Sequence, residues 1–188
     1  MAATADERGL FEQVVLGLLY PDGSYGYEIA RHFARGGDLA PVGRLGRSQV
    51  YALLKDLERR RWARAVLRPG GGGPARRVYT LTGEGRRRFL RWLHEPVDSV
   101  RRLRVEFVWK LYFFQRLGLG GLEGAIGEQE RVLWGRLAAV EADRQWSTGV
   151  DRWVLDLRAR LLRAGLEWLA EERDRLVPGG TGGREALS

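Results

Sequence analysis

Apolar residues recur at helical spacing along most of this chain, and strict helical spacing gives way to short extended runs in one place. Leu10, Phe11, Val14, Val15, Leu18 and Leu19 share one side of a helix over residues 10–20, which "PDGS" ends with a turn. "YGYEIARHFARGG" predicts a second helix, with Ile29, Ala30 and Phe33 inward and Gly36-Gly37 as its stop. After the loop "DLAPVGRLG" comes "RSQVYALLKDLERRRW", a third helix. At roughly 100° per residue, Val50, Leu53, Leu54 and Leu57 fall on one arc of it, and Ser48, Ala52, Lys55 and Arg59 on the opposite one.

The extended runs follow. "ARAVLR" and "ARRVYTLT" read as two strands joined by "PGGGGP", a linker too flexible for a helix and suited to a hairpin loop. Val66, Leu67, Val78, Tyr79 and Leu81 are their apolar content, and Arg64, Arg68, Arg76 and Arg77 cluster toward the tip. Thr82 is placed to cap the next helix, "TGEGRRRFLRWLHEP", which ends before Pro96. Helix, helix, helix and two-stranded ribbon is the order of a winged helix-turn-helix.

Beyond Pro96 the pattern changes. "VRRLRVEFVWKLYFFQRLG" carries apolar residues around most of its circumference, so more than one side has to be covered. Residues 121–147 align Ile126, Leu133, Leu137 and Val140, and residues 150–176 align Val150, Val154, Leu157, Leu161, Ala164, Trp168 and Leu176 at nearly heptad spacing. That surplus of apolar surface favours self-association. The fold class expected is mainly α, with a winged helix-turn-helix DNA-binding domain at residues 10–95 followed by a helical dimerisation domain at 100–177. The glycine-rich residues 178–188 are expected to be a disordered tail.

Charge sharpens this picture. Among 188 residues, 32 are basic and 24 acidic, a net charge of +8 that favours an anionic partner. The arginine bias has a bland source in genomic GC content, so its placement matters more than its amount. The absence of cysteine excludes a disulfide framework and a thiolate metal site, and His32 and His94 do not make a zinc cluster. No cofactor or metal is expected. No apolar run spans a bilayer and "MAATADERGL" does not read as a signal peptide, so a cytoplasmic protein without a membrane partner is expected. Glu106, Glu123, Glu128, Glu130 and Glu141 have no second acid, histidine or nucleophile placed to work with them, which argues against an enzyme.

The winged order gives the polar face of the third helix a use. Such a helix enters the major groove with its first turns at base edges and its cations on phosphates. Ser48 and Gln49 lie in the first turn, where Gln can take a bidentate bond to adenine. Tyr51 and Lys55 suit backbone oxygens, although an aromatic at the edge of the core and a solvated lysine would look the same. Arg68, Arg76 and Arg77 flank the glycine run, where a wing tip meets the minor groove or its phosphates. That glycine run is no nucleotide-binding loop, since it joins strand to strand and no Lys-Ser/Thr follows it.

"VVLGLLYPDGSYGYEIARHFAR", "SQVYALLKDLERRRW" and "RRVYTLTGEGRRRFLRWL", in this order, resemble the amino-terminal half of the PadR family of bacterial transcriptional regulators. "FVWKLYFF" and "LLRAGLEWLAEERDRL" are similar to the first and last helices of that family's variable second half. The segment "PVGRLGRSQ" departs from the pattern in its glycine and arginine, which leaves the start of the third helix open and Arg47 divided between a phosphate ligand and a loop cation. The resemblance implies a homodimer on a pseudo-palindromic double-stranded DNA operator, usually a repressor, which small aromatic molecules release. Trp109, on the helix with several apolar faces, is the candidate to stack such an effector. Two other readings compete: a winged-helix protein-interaction module and a sequence-independent nucleic-acid binder.

Overall fold

The computed structural model describes residues 5–70 and 73–177, so the expected tail at 178–188 lies outside the described residues. Helices dominate, with one small sheet. The contacts divide the chain into two compact units, residues 1–94 with 108–118, and residues 95–107 with 119–188.

The first unit is a winged helix-turn-helix. Helix α1 (Ala5–Leu19) buries Val14, Val15, Leu16, Leu18 and Leu19; α2 (Gly26–Phe33) buries Ile29 and Phe33; α3 (Arg47–Arg59) buries Val50, Leu53, Leu54 and Leu57, the arc expected of it. Strands β2 (Ala63–Gly70) and β3 (Gly73–Leu81) form the antiparallel wing, with Val66 opposite Val78 and Arg68 opposite Arg76. A third strand, β1 (Ser24–Tyr25), pairs with the other edge of β3 and gives the order β1-β3-β2. Two residues are too few to show alternation, so the pattern of the sequence contains no sign of it.

The wing is fastened at its base. Arg61, a non-glycine residue at φ 59°, makes the sharp turn out of α3. The Trp62 carbonyl then accepts the Thr82 N–H at 3.0 Å and the Thr82 hydroxyl at 3.1 Å. Thr82 Oγ1 in turn accepts the Gly85 N–H at 3.1 Å, capping α4 (Gly83–His94) as its position predicts.

The apolar segment after Pro96 is not one α-helix. It runs as α5 (Val100–Arg102), a π-helical stretch (Leu103–Phe107) and α6 (Val108–Leu117). Its several apolar faces are covered in different places. Trp109, Phe113 and Phe114 are buried in the first unit, where Trp109 meets Phe11 at 5.4 Å between ring centroids and Phe113 meets Phe89 edge-on at 5.3 Å. The crossing is close enough that a Cβ on Gly17 would lie 2.6 Å from the Phe113 ring. Leu103 and Phe107 belong to the second unit instead, Phe107 with its ring 6.5 Å from that of Trp168. The division of contacts therefore falls inside this segment rather than near residue 100, because aromatic packing draws α6 back to α1 and α4.

The second unit is built on a helical hairpin of α7 (Leu122–Gln145) and α8 (Gly149–Leu176). Ala125, Ile126, Leu133 and Leu137 face Ala159, Leu162, Leu166 and Leu169 as its buried seam. The ion pairs Glu130–Arg173, Glu141–Arg163 and Arg144–Asp156 set the antiparallel register along its length. The Gln129 amide closes a two-way bond with the Val97 backbone, at 2.7 and 2.9 Å. The first four members of the heptad-like stripe on α8 stay outside that seam: Val150, Val154, Leu157 and Leu161 are 67%, 42%, 58% and 46% exposed.

Candidate nucleic-acid interface

The polar face of α3 begins at its first residue. Gly46, the N-cap, has no side chain to offer the free N–H groups of the first turn, and Gln49 supplies half of a capping box by accepting the Gly46 N–H on Oε1 at 2.8 Å. Arg47, Ser48, Gln49, Tyr51 and Lys55 are all exposed. The helix start left open by the sequence is thus at Arg47, which places its side chain on the helix rather than in the loop.

Tyr51 is 42% exposed, and the rest of its ring lies on the N-terminus of α2. A Cβ on Gly26 would sit 2.6 Å from Tyr51 Cε1, so glycine at that place is what lets the two helices approach. The α2 end is itself ordered by Glu28, whose carboxylate accepts the Tyr25 N–H at 3.0 Å and the Ser24 and Tyr27 hydroxyls. Burial alone would raise the Glu28 pKa, but those hydrogen bonds outweigh it and hold the group below its ordinary 4.5.

The cations sort into two kinds. Among the described residues no ion pair engages Arg44, Arg47, Lys55, Arg68 or Arg76, and each of them is exposed. Arg68 and Arg76 are direct cross-strand partners, like charges held opposite one another at a cost that a bound anion would relieve. Arg77 differs: its Nη2 donates to both carboxylate oxygens of Glu58 at 3.0 Å, and its guanidinium lies 5.6 Å from the Tyr79 ring centroid. Arg59 and Arg60 are likewise occupied, Arg59 by Asp56 at 2.8 Å and Arg60 by Glu12 at 3.0 Å. Leu67, counted among the wing's apolar content, is 68% exposed beside the arginines.

Arg44 lies in the loop before α3, where the surplus arginine of that segment is the one sequence signal for it. Glu58 is one of two acids on α3, and nothing in the sequence points from it to a partner nineteen residues away. Trp109 is 1% exposed, filled around by Phe11 and by Gly43, whose Cβ would lie 2.8 Å from the indole. Its indole N–H is buried with no hydrogen-bond partner. Of the five acids Glu106, Glu123, Glu128, Glu130 and Glu141, four are engaged with arginines: Glu106 with Arg102, Glu128 with Arg131, Glu130 with Arg173 and Glu141 with Arg163. No group of three metal-ligating side chains occurs among the described residues, and no helix there is long and apolar enough to cross a membrane.

Comparison with known proteins returns to the same stretch of chain. Residues 15–91 match the model of the Transcriptional regulator PadR-like family. A probable transcriptional regulator of Mycobacterium tuberculosis is 32% identical over 87 residues, covering 46% of this chain and 45% of that protein, so the matched part spans less than half the length of this relative. Among solved structures, Bacillus subtilis PadR in complex with operator DNA aligns at 20% identity with a TM-score of 0.43, over 86% of this chain and 97% of that one. The same protein in complex with p-coumaric acid aligns at 22% identity with a TM-score of 0.40, over 91% and 96%.

Proposed function

We propose that this chain, whose residues 15–91 match the PadR-like family of transcriptional regulators, is a cytoplasmic repressor of that family that binds a pseudo-palindromic DNA operator as a homodimer. One observation carries the reading: a recognition helix and a wing present unpaired cations, while their neighbouring arginines are neutralised by acids. Lys55 and Arg47 on α3 and the Arg68–Arg76 pair on the wing are the phosphate ligands, and Ser48 and Gln49 are the base readers. Gln49 keeps its Nε2 donors free while Oε1 caps the helix, so it reads an acceptor such as a purine N7 without surrendering the cap. Tyr51, steadied on Gly26, is placed for a backbone oxygen.

The dimer is supported by the α8 stripe. Val150, Val154, Leu157 and Leu161 recur at four- and three-residue steps and are exposed in the single chain, with Trp153 beside them at 73% exposure. A second copy would bury this stripe and carry the two winged units to successive major grooves. Release by a small aromatic effector belongs to the same reading, and for Trp109, buried against Phe11 and Gly43, to stack on such a molecule its ring would first have to be uncovered.

Titration of purified protein into labelled duplexes at several salt concentrations tests the reading. Sequence-specific binding predicts an operator preferred over random duplex by about a thousandfold or more. Equal affinity for both, with a steep salt slope, would make the protein a general nucleic-acid binder. No binding to either would favour a winged-helix protein-interaction module.

A further inference from the structure

Arg77 stands apart from the other wing cations. Its charge is already spent on Glu58, which lies in the last turn of α3, while Arg77 projects from β3 and covers the Tyr79 ring. With Glu58 34% and Arg77 54% exposed, such a pair adds little to global stability. What it does fix is geometry, because it joins the end of the recognition helix to the middle of the wing by two hydrogen bonds and a ring contact. We propose that Arg77 and Glu58 form a clamp that sets the distance and angle between α3 and the wing, so that Arg77 positions the DNA-binding elements and does not itself touch phosphate.

Three features on the structure favour this over a phosphate contact. Taking Arg77 to a phosphate would leave the Glu58 carboxylate uncompensated close to DNA, a like-charge opposition. The tip already has two unpaired cations, Arg68 and Arg76, held opposite one another. Trp62 and Thr82 fasten the base of the β2–β3 ribbon, and β1 pairs with β3 as far as Val78 and Tyr79; beyond Val78 the ribbon leaves that pairing and its register is irregular between Arg68 and Gly70, so a contact at Arg77 is what holds the angle of its outer half.

The inference rests on the DNA-binding reading for its purpose but not for its test. Full-length wild type, Arg77→Ala, Glu58→Gln and the double variant are compared in two ways. Without DNA, hydrogen exchange of the β2–β3 amides is expected to quicken in all three variants, while the melting temperature stays within about 2 °C. On operator DNA, each single variant is expected to lose affinity by about three- to tenfold, with the double no worse than the singles. The salt slope of Arg77→Ala should match wild type, whereas Lys55→Ala should be shallower by about one counterion. A slope for Arg77→Ala shallower by about one counterion, together with tighter binding by Glu58→Gln, would make Arg77 a phosphate ligand and overturn the clamp. Unchanged wing exchange in both single variants would overturn it too, whether or not wild type binds DNA. A wild type that binds no DNA but whose wing exchange quickens in both variants would sink the DNA reading and keep the clamp.

Discussion

Gln49 does two jobs with one side chain, and the two can be separated. Its Oε1 closes the α3 cap on Gly46, and its Nε2 is left to donate. Gln49→Glu keeps an acceptor for the cap but loses the donor and adds a negative charge, whereas Gln49→Ala loses both. Thermal unfolding should place Gln49→Glu near wild type and Gln49→Ala about 0.5–1 kcal/mol below it. In binding to a panel of operator variants, both should lose preference at one base pair. Uniform weakening by Gln49→Ala across the whole panel would contradict the base-reading role. The exposed α3 residues were legible in the sequence because a single helix with four buried aliphatics fixes which side is left over. The Arg77–Glu58 pair was not, since complementary charges on separate elements say nothing about each other until the fold brings them together.

At the scale of elements, α3 and the wing followed from pattern, and the parts that escaped were those that pattern does not encode. Strand β1 is two residues long, and the π-helical stretch at Leu103–Phe107 differs from an α-helix in hydrogen-bond register rather than in the identity of its apolar residues. The start of α1 at Ala5 lies in a polar stretch without apolar periodicity. Helix α2 is short, and its entry depends on Glu28. Because the folded pKa of Glu28 lies below its unfolded value, its contribution to stability is full above about pH 4.5 and is lost as pH falls through the folded value. The difference in unfolding free energy between wild type and Glu28→Ala should therefore shrink on acidification below pH 4.5. A difference that stays constant down to acid unfolding would show that the carboxylate's charge is irrelevant to the cap. Gly26→Ala acts on the same junction: its Cβ would force the Tyr51 ring aside, and operator affinity should fall while the α3 core stays intact.

For the whole molecule, the sequence announced surplus apolar surface, and the structure shows where it lies. The seam between α7 and α8 uses Ala159, Leu162, Leu166 and Leu169, and leaves Val150, Trp153, Val154, Leu157 and Leu161 exposed. Both stripes are apolar at helical spacing, so the sequence could not tell which one packs within the chain and which one faces outward. Leu157→Asp, on the exposed stripe, should convert a dimer to a monomer in sedimentation velocity with its helicity retained, and weaken operator binding well beyond tenfold because two half-sites are no longer linked. A dimer that survives the substitution would remove α8 from the interface. The most direct test of the account as a whole is a selection of genomic DNA fragments with the purified full-length protein at physiological salt. The account predicts enrichment of an inverted repeat whose half-sites lie about one helical turn apart. Fragments recovered without a shared sequence, or sharing only a lone half-site, would contradict it.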